Sequence, residues 1–198
     1  MAIHTGEQNI PCICVTNRTL CRDDYLTRIE YIAEKGVADA ILLREKDLTE
    51  REYYELAEKV LSICKRHNRR CILHTYYKAA KELGCREIHL PLPVLQKMRE
   101  EGEKEWFTTV GTSVHSLKQA ELAMHLKADY MTAGHIFETD CKKGLPGRGI
   151  SFLRKVVRES AVPVYGIGGI SADNAGQVRE AGAAGVCIMS GFMLESMK

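Results

Sequence analysis

The chain has almost no net charge: 28 Lys and Arg stand against 26 Asp and Glu, a formal +2 over 198 residues. No block of Lys and Arg with interleaved aromatics occurs, so the positive field that grips a phosphate backbone is missing. That excludes nucleic acid as an expected partner. Long apolar runs are missing too. No stretch approaches the ~18 residues of a membrane span, and the opening MAIHTGEQNI lacks a signal-peptide core. The expectation is a cytoplasmic protein without a membrane partner.

Metal and redox signatures are equally scarce. None of the eight cysteines are spaced Cys-x-x-Cys, and most sit in apolar runs such as PCICV, CILH and GVCIMS. There a reduced cysteine acts as a small buried hydrophobe. No His-x-x-x-His and no paired aspartates at strand ends suggest a metal site, so none is predicted. A Gly-x-Ser-x-Gly elbow is also absent, which argues against a serine hydrolase.

What is present is an alternation. Apolar residues make up 45% and charged residues 27%, a balance that suits one globular domain over residues 1–198. Short apolar, β-branched runs take turns with segments of helical period. CICVTN precedes DYLTRIEYIAEKG, and AILLREK precedes TEREYYELAEKVLSICKRHN, with Thr49 as N-cap and Asn68 as stop. CILHTY leads to YKAAKELG, and EIHLPL to PVLQKMREEG, where Pro93 suits a helix start. FTTVGTSV, DYMTAGHIF and VPVYGIGGI head three further pairs, and AGVCIMSG is an eighth strand followed only by FMLESMK.

Strands this apolar, separated by single helices, imply parallel pairing with both faces covered. Eight in succession predict an α/β fold, a (β/α)₈ TIM barrel whose last helix is short or missing. A flavodoxin-like open sheet is the alternative, though it needs fewer strands. The absent helix would leave apolar surface, for which a homodimer is the expected cover.

In such barrels the chemistry gathers at the C-terminal strand ends. Three groups of residues fall there. The first is GIGGI with MSG: Gly168, Gly169 and Ser190 follow strands seven and eight, the recurrent phosphate position. The second is LLREK, where Arg44 and Lys46 share one face two residues apart and offer a second anion site. The third is His135, at the end of ADYMTAGHIF, ahead of a loop bearing Thr139, Lys142 and Arg148. An imidazole there can take and return a proton near neutral pH. Tight turns, a solvated cation pair and a core histidine are the competing structural readings.

Taken together, LLREK, GTSVHS, ADYMTAGHIFETDCKKGLPGRG, PVYGIGGI and GAAGVCIMSG resemble the thiamine-phosphate synthase superfamily in order and spacing. The resemblance implies one of two activities. The synthase joins a pyrimidine diphosphate to a thiazole phosphate and uses magnesium. The TenI-type thiazole tautomerase shifts a proton on a carboxythiazole phosphate and needs no metal. Synthases carry an Asn-Asp pair after strand three and Gly-Gln-x-Asp after strand four; here His74-Thr75 and Pro91–Val94 stand instead. The loop after strand six is like the tautomerase version.

The expectation is therefore an isomerase, a thiazole tautomerase without cofactor, acting on a small phosphorylated thiazole. The resemblance makes His135 its acid and base. It gives Gly168, Gly169 and Ser190 the phosphate, and Arg44 with Lys46 the ring carboxylate. Ser113, Thr139 and Lys142 match polar pocket positions. A synthase of the transferase class, and a non-catalytic thiazole-phosphate binder, are the alternatives.

Overall fold

The structure, a computed structural model, describes residues 10–139 and 144–194. Eight strands alternate with eight helices. The strands are β1 (Cys12–Val15), β2 (Ala40–Leu43), β3 (Arg70–His74), β4 (Glu87–Pro91), β5 (Thr109–Val114), β6 (Tyr130–Gly134), β7 (Val164–Ile167) and β8 (Gly185–Ile188). All pair in parallel in chain order, and β1 closes on β8. The predicted (β/α)₈ barrel is the observed fold.

The helices are α1 (Tyr25–Lys35), α2 (Glu50–Arg66), α3 (Tyr77–Glu82), α4 (Leu92–Glu100), α5 (Leu117–His125), α6 (Gly149–Glu159), α7 (Ala175–Glu180) and α8 (Ser190–Leu194). The last has five residues. Among the described residues no helix is long and apolar enough to cross a membrane.

Side-chain alternation along each strand separates two apolar layers. In β2, Ile41 and Leu43 face the helices, while Ala40 and Leu42 face the barrel interior with Ile13, Val15 and Ile72. Helix α2 shows how the outer layer is fixed. Thr49 and Glu52 form a reciprocal capping box, which satisfies otherwise orphaned N–H groups at the helix start. Tyr53, Ala57, Val60, Ile63 and Cys64 then recur on one buried face. The Tyr53 hydroxyl donates to the Leu43 carbonyl (2.8 Å) and accepts from the His74 amide (2.7 Å). One phenol thus ties the ends of β2 and β3, where two predicted site segments begin.

Two boundaries differ from the sequence expectation. DYMTAGHIF reads as one strand, yet β6 stops at Gly134, where a Cβ would stand 2.4 Å from the Ile167 carbonyl. The chain is packed too closely against β7 to carry a side chain there. SADN reads as the opening of a helix, yet α7 begins after Asn174 and has six residues. The Asn174 amide instead accepts from Ser171 N and donates to the Gly169 carbonyl, both at 2.9 Å. It stitches the glycine loop to itself.

Candidate active site

The C-terminal strand ends open on a cavity of about 350 Å³. Val15, Ile167, Ile188 and Leu92 supply apolar wall, with polar groups placed around them, the usual make-up of a small-ligand site. Arg44 and Lys46 enter from the end of β2, and Ser113 from β5. His135 and Thr139 come from the loop after β6, Gly168 and Gly169 from the loop after β7, and Ser190 from the start of α8. Every predicted site residue but one therefore lines this cavity. Lys142 lies outside the described residues.

The β2 end is held by a residue that the sequence reading passed over. Glu45 is 2% exposed and turns away from the cavity, opposite to Arg44 and Lys46. Its carboxylate accepts from Thr16 Oγ1 (2.7 Å), from Arg18 N (2.9 and 3.1 Å) and from the Tyr25 hydroxyl (3.1 Å). Thr16 Oγ1 in turn accepts from Arg44 N at 2.9 Å. A buried carboxylate is tolerable only with such partners. Here they lock LLREK to the start of the neighbouring β1–α1 loop. Burial and the Glu45 charge push the Tyr25 phenol pKa up, so that group remains a donor.

His135 follows a cis Gly134–His135 peptide and is 7% exposed. Its Nε2 lies 3.3 Å from the Leu145 carbonyl, which only an N–H can satisfy, so the proton sits on Nε2. Nδ1 is buried and without a hydrogen-bond partner among the described residues. The backbone around it is zipped to the next loop. Ile136 N donates to the Ile167 carbonyl (2.9 Å) and Phe137 N to the Gly168 carbonyl (3.0 Å).

That zipper also explains the glycines. Gly168 and Gly169 have φ of +99° and +65°, a region that suits glycine. A Cβ on Gly168 would meet His135 Cβ at 2.3 Å, and one on Gly169 the Glu138 carbonyl at 2.4 Å. Close approach of two loops therefore demands glycine here, whatever else the loop binds.

His74, at the end of β3, and His89, in β4, lie beside the cavity floor. His74, which lines the cavity, stacks 5.9 Å from His89, which is wholly inside the barrel. Burial, then the neighbouring His89, Arg44 and Lys46, holds the His74 pKa well below the usual imidazole value. Burial and Arg44 hold His89 down to about 3. Both are neutral rings at physiological pH. Nothing in the sequence alone tells a satisfied core histidine from one beside a ligand.

A divalent cation finds no donor set here. The ends of β3 and β4 present His74, Pro91, Leu92 and Pro93 to the cavity, and no cluster of three or more His, Cys, Asp or Glu stands close enough to hold a metal among the described residues. Magnesium requires oxygen ligands.

Comparison with known proteins gives consistent results. The chain matches the family described as thiamine monophosphate synthase (TMP-TENI) over residues 12–192. It is 30% identical over 185 residues to a thiamine-phosphate synthase of Fusobacterium nucleatum, covering 91% of this chain and 88% of that protein. It is also 30% identical over 179 residues to a putative thiamine-phosphate synthase 2 of Aquifex aeolicus, covering 90% and 95%. A solved thiamine phosphate pyrophosphorylase from Pyrococcus furiosus superposes with a TM-score of 0.79 at 27% identity, covering 94% and 89%. These findings correct the expected activity. Relatives at this similarity carry the name of a synthase, a transferase, and none of them bears out an isomerase or a thiazole tautomerase. The missing aspartates and the one loop weigh less than similarity over nearly the whole chain.

Proposed function

The chain belongs to the thiamine monophosphate synthase family, and from that premise we propose that it joins a pyrimidine diphosphate to a thiazole phosphate. The observation that carries this reading is one cavity with anion-binding groups on two sides, Arg44 and Lys46 against Gly168, Gly169 and Ser190. In the coupling, the bond from the pyrimidine-bearing carbon to diphosphate oxygen breaks, a bond to the thiazole forms, and diphosphate leaves. Arg44 suits a bidentate grip on that leaving group, and Lys46 adds a point charge. The glycine loop and Ser190 take the thiazole phosphate. Helices α7 and α8, at six and five residues, are too short to contribute much dipole, so backbone N–H groups and the serine hydroxyl do this work. Apolar walls exclude water, and fixing both rings side by side removes most of the entropic barrier to their encounter. Thr139 lines the site from the loop after β6, and His135 borders the same cavity with its Nδ1 left without a partner among the described residues.

The magnesium that the resemblance attaches to synthases does not fit the described residues, so no step is assigned to it. That mismatch favours one second reading, a binder of phosphorylated thiazoles without turnover.

The two separate in a product assay. Protein is supplied with both substrates and excess magnesium, and thiamine phosphate is followed by mass spectrometry. Product that falls roughly 100-fold in Arg44→Ala supports the synthase. Absence of product under conditions where both ligands bind selects the binder. Failure of the thiazole phosphate to bind overturns both readings, and failure of the pyrimidine diphosphate alone overturns the synthase.

A further inference from the structure

The barrel interior holds a chain of polar groups that the coupling reaction does not use. His89 Nδ1 lies 3.0 Å from the Tyr130 hydroxyl, and His89 Nε2 lies 2.9 Å from Ser113 Oγ. Thr132 Oγ1 stands 3.1 Å from the same serine oxygen. Tyr130, His89 and Thr132 are 6%, 1% and 1% exposed, whereas Ser113 reaches the cavity. The arrangement is built into the sheet. A Cβ on Gly111 would lie 2.1 Å from Tyr130 Cζ and 2.6 Å from His89 Nδ1, so glycine on β5 is what lets phenol and imidazole meet.

A neutral imidazole has one donor and one acceptor. Were the proton on Nδ1, Tyr130 would have to accept it. The phenolic proton would then be stranded, since Tyr130 makes no other hydrogen bond among the described residues. A buried unsatisfied donor is disfavoured. With the proton on Nε2, Tyr130 donates to Nδ1 and Nε2–H donates to Ser113. Thr132, whose hydroxyl has no better acceptor, also donates to Ser113. Both serine lone pairs are then filled, and the serine proton is left to the cavity.

We propose that Tyr130 and His89 set the hydrogen-bond polarity of Ser113, fixing it as a donor to an anionic oxygen of the ligand. Tyr130 and His89 are positioning residues; only Ser113 touches the ligand. A serine held this way selects acceptor oxygens and disfavours ligand N–H or O–H groups, which a freely turning hydroxyl would accept.

The proposal rests on reading the cavity as a site for an anionic ligand, and its test separates the two. Long-range ¹H–¹⁵N correlation of the ligand-free protein reports the His89 tautomer, the signal being assigned by its loss in His89→Gln. The Nε2–H form is expected, and the Nδ1–H form overturns the relay. Tyr130→Phe should yield mixed tautomers and weaken inorganic pyrophosphate binding roughly tenfold, as Ser113→Ala does. Combined with Ser113→Ala, Tyr130→Phe should add nothing further. Additive losses, or a phenylalanine variant with unchanged tautomer and affinity, overturn the proposal. If the wild type does not bind pyrophosphate, the reading of the cavity falls, while the tautomer still decides the relay.

Discussion

His89 sits inside the barrel with both ring nitrogens engaged, and its charge state couples the site to the stability of the fold. Its pKa of about 3 in the folded chain lies below the ordinary 6.5. Below pH 6.5 the unfolded chain therefore binds a proton that the folded chain refuses, and stability must fall with pH. The contribution is complete above pH 6.5 and is lost as pH falls from there toward 3. The slope is about 1.4 kcal/mol per pH unit for this one group, and His74, depressed in the same direction, adds to it. Denaturant unfolding at pH 7.5 and 5.5 should show that loss, and His89→Gln should reduce it. A stability flat across that window would contradict a neutral buried imidazole. At this scale the sequence was only partly legible. Gly168 and Gly169 stood out by composition, but their packing against His135 and Glu138 joins separate strands and cannot be read from either segment alone.

At the scale of elements, strands and helices were largely readable because each obeys a local rule. The Thr49 capping box, the Gly36 stop of α1 and the period of α2 are written in neighbouring residues. The element ends were not, because tertiary contacts set them. Gly134 ends β6 against Ile167, and Asn174 spends its side chain on the loop before α7. Glu45 was missed for the same reason. In LLREK it reads as one more surface charge, and only closure of the barrel brings Thr16, Arg18 and Tyr25 around it. Glu45→Ala should leave those donors without a partner, lowering stability by about 1–3 kcal/mol and weakening pyrophosphate binding through a loosened Arg44. Glu45→Gln, which keeps an acceptor oxygen, should recover most of both. Stability and affinity that both survive the alanine change would show that the clamp is dispensable.

For the whole molecule, eight parallel strands deliver residues from the ends of β2, β5, β6, β7 and β8 to one cavity. The fold and the place of the cavity follow from that topology, which the alternation in the sequence already contained. The reaction did not follow from it. Barrels carry many chemistries on one frame, and the absence of two carboxylates pointed to an isomerase where the relatives are synthases. The proposed coupling requires that one cavity hold two anions at once. The direct measurement is a calorimetric titration of inorganic pyrophosphate into the protein, alone and again with thiazole phosphate at saturation. Two separate subsites predict a ternary complex, with pyrophosphate affinity retained in the presence of the thiazole. Strict competition, with the apparent Kd of pyrophosphate rising in proportion to thiazole phosphate, would mean a single anion site and would contradict it.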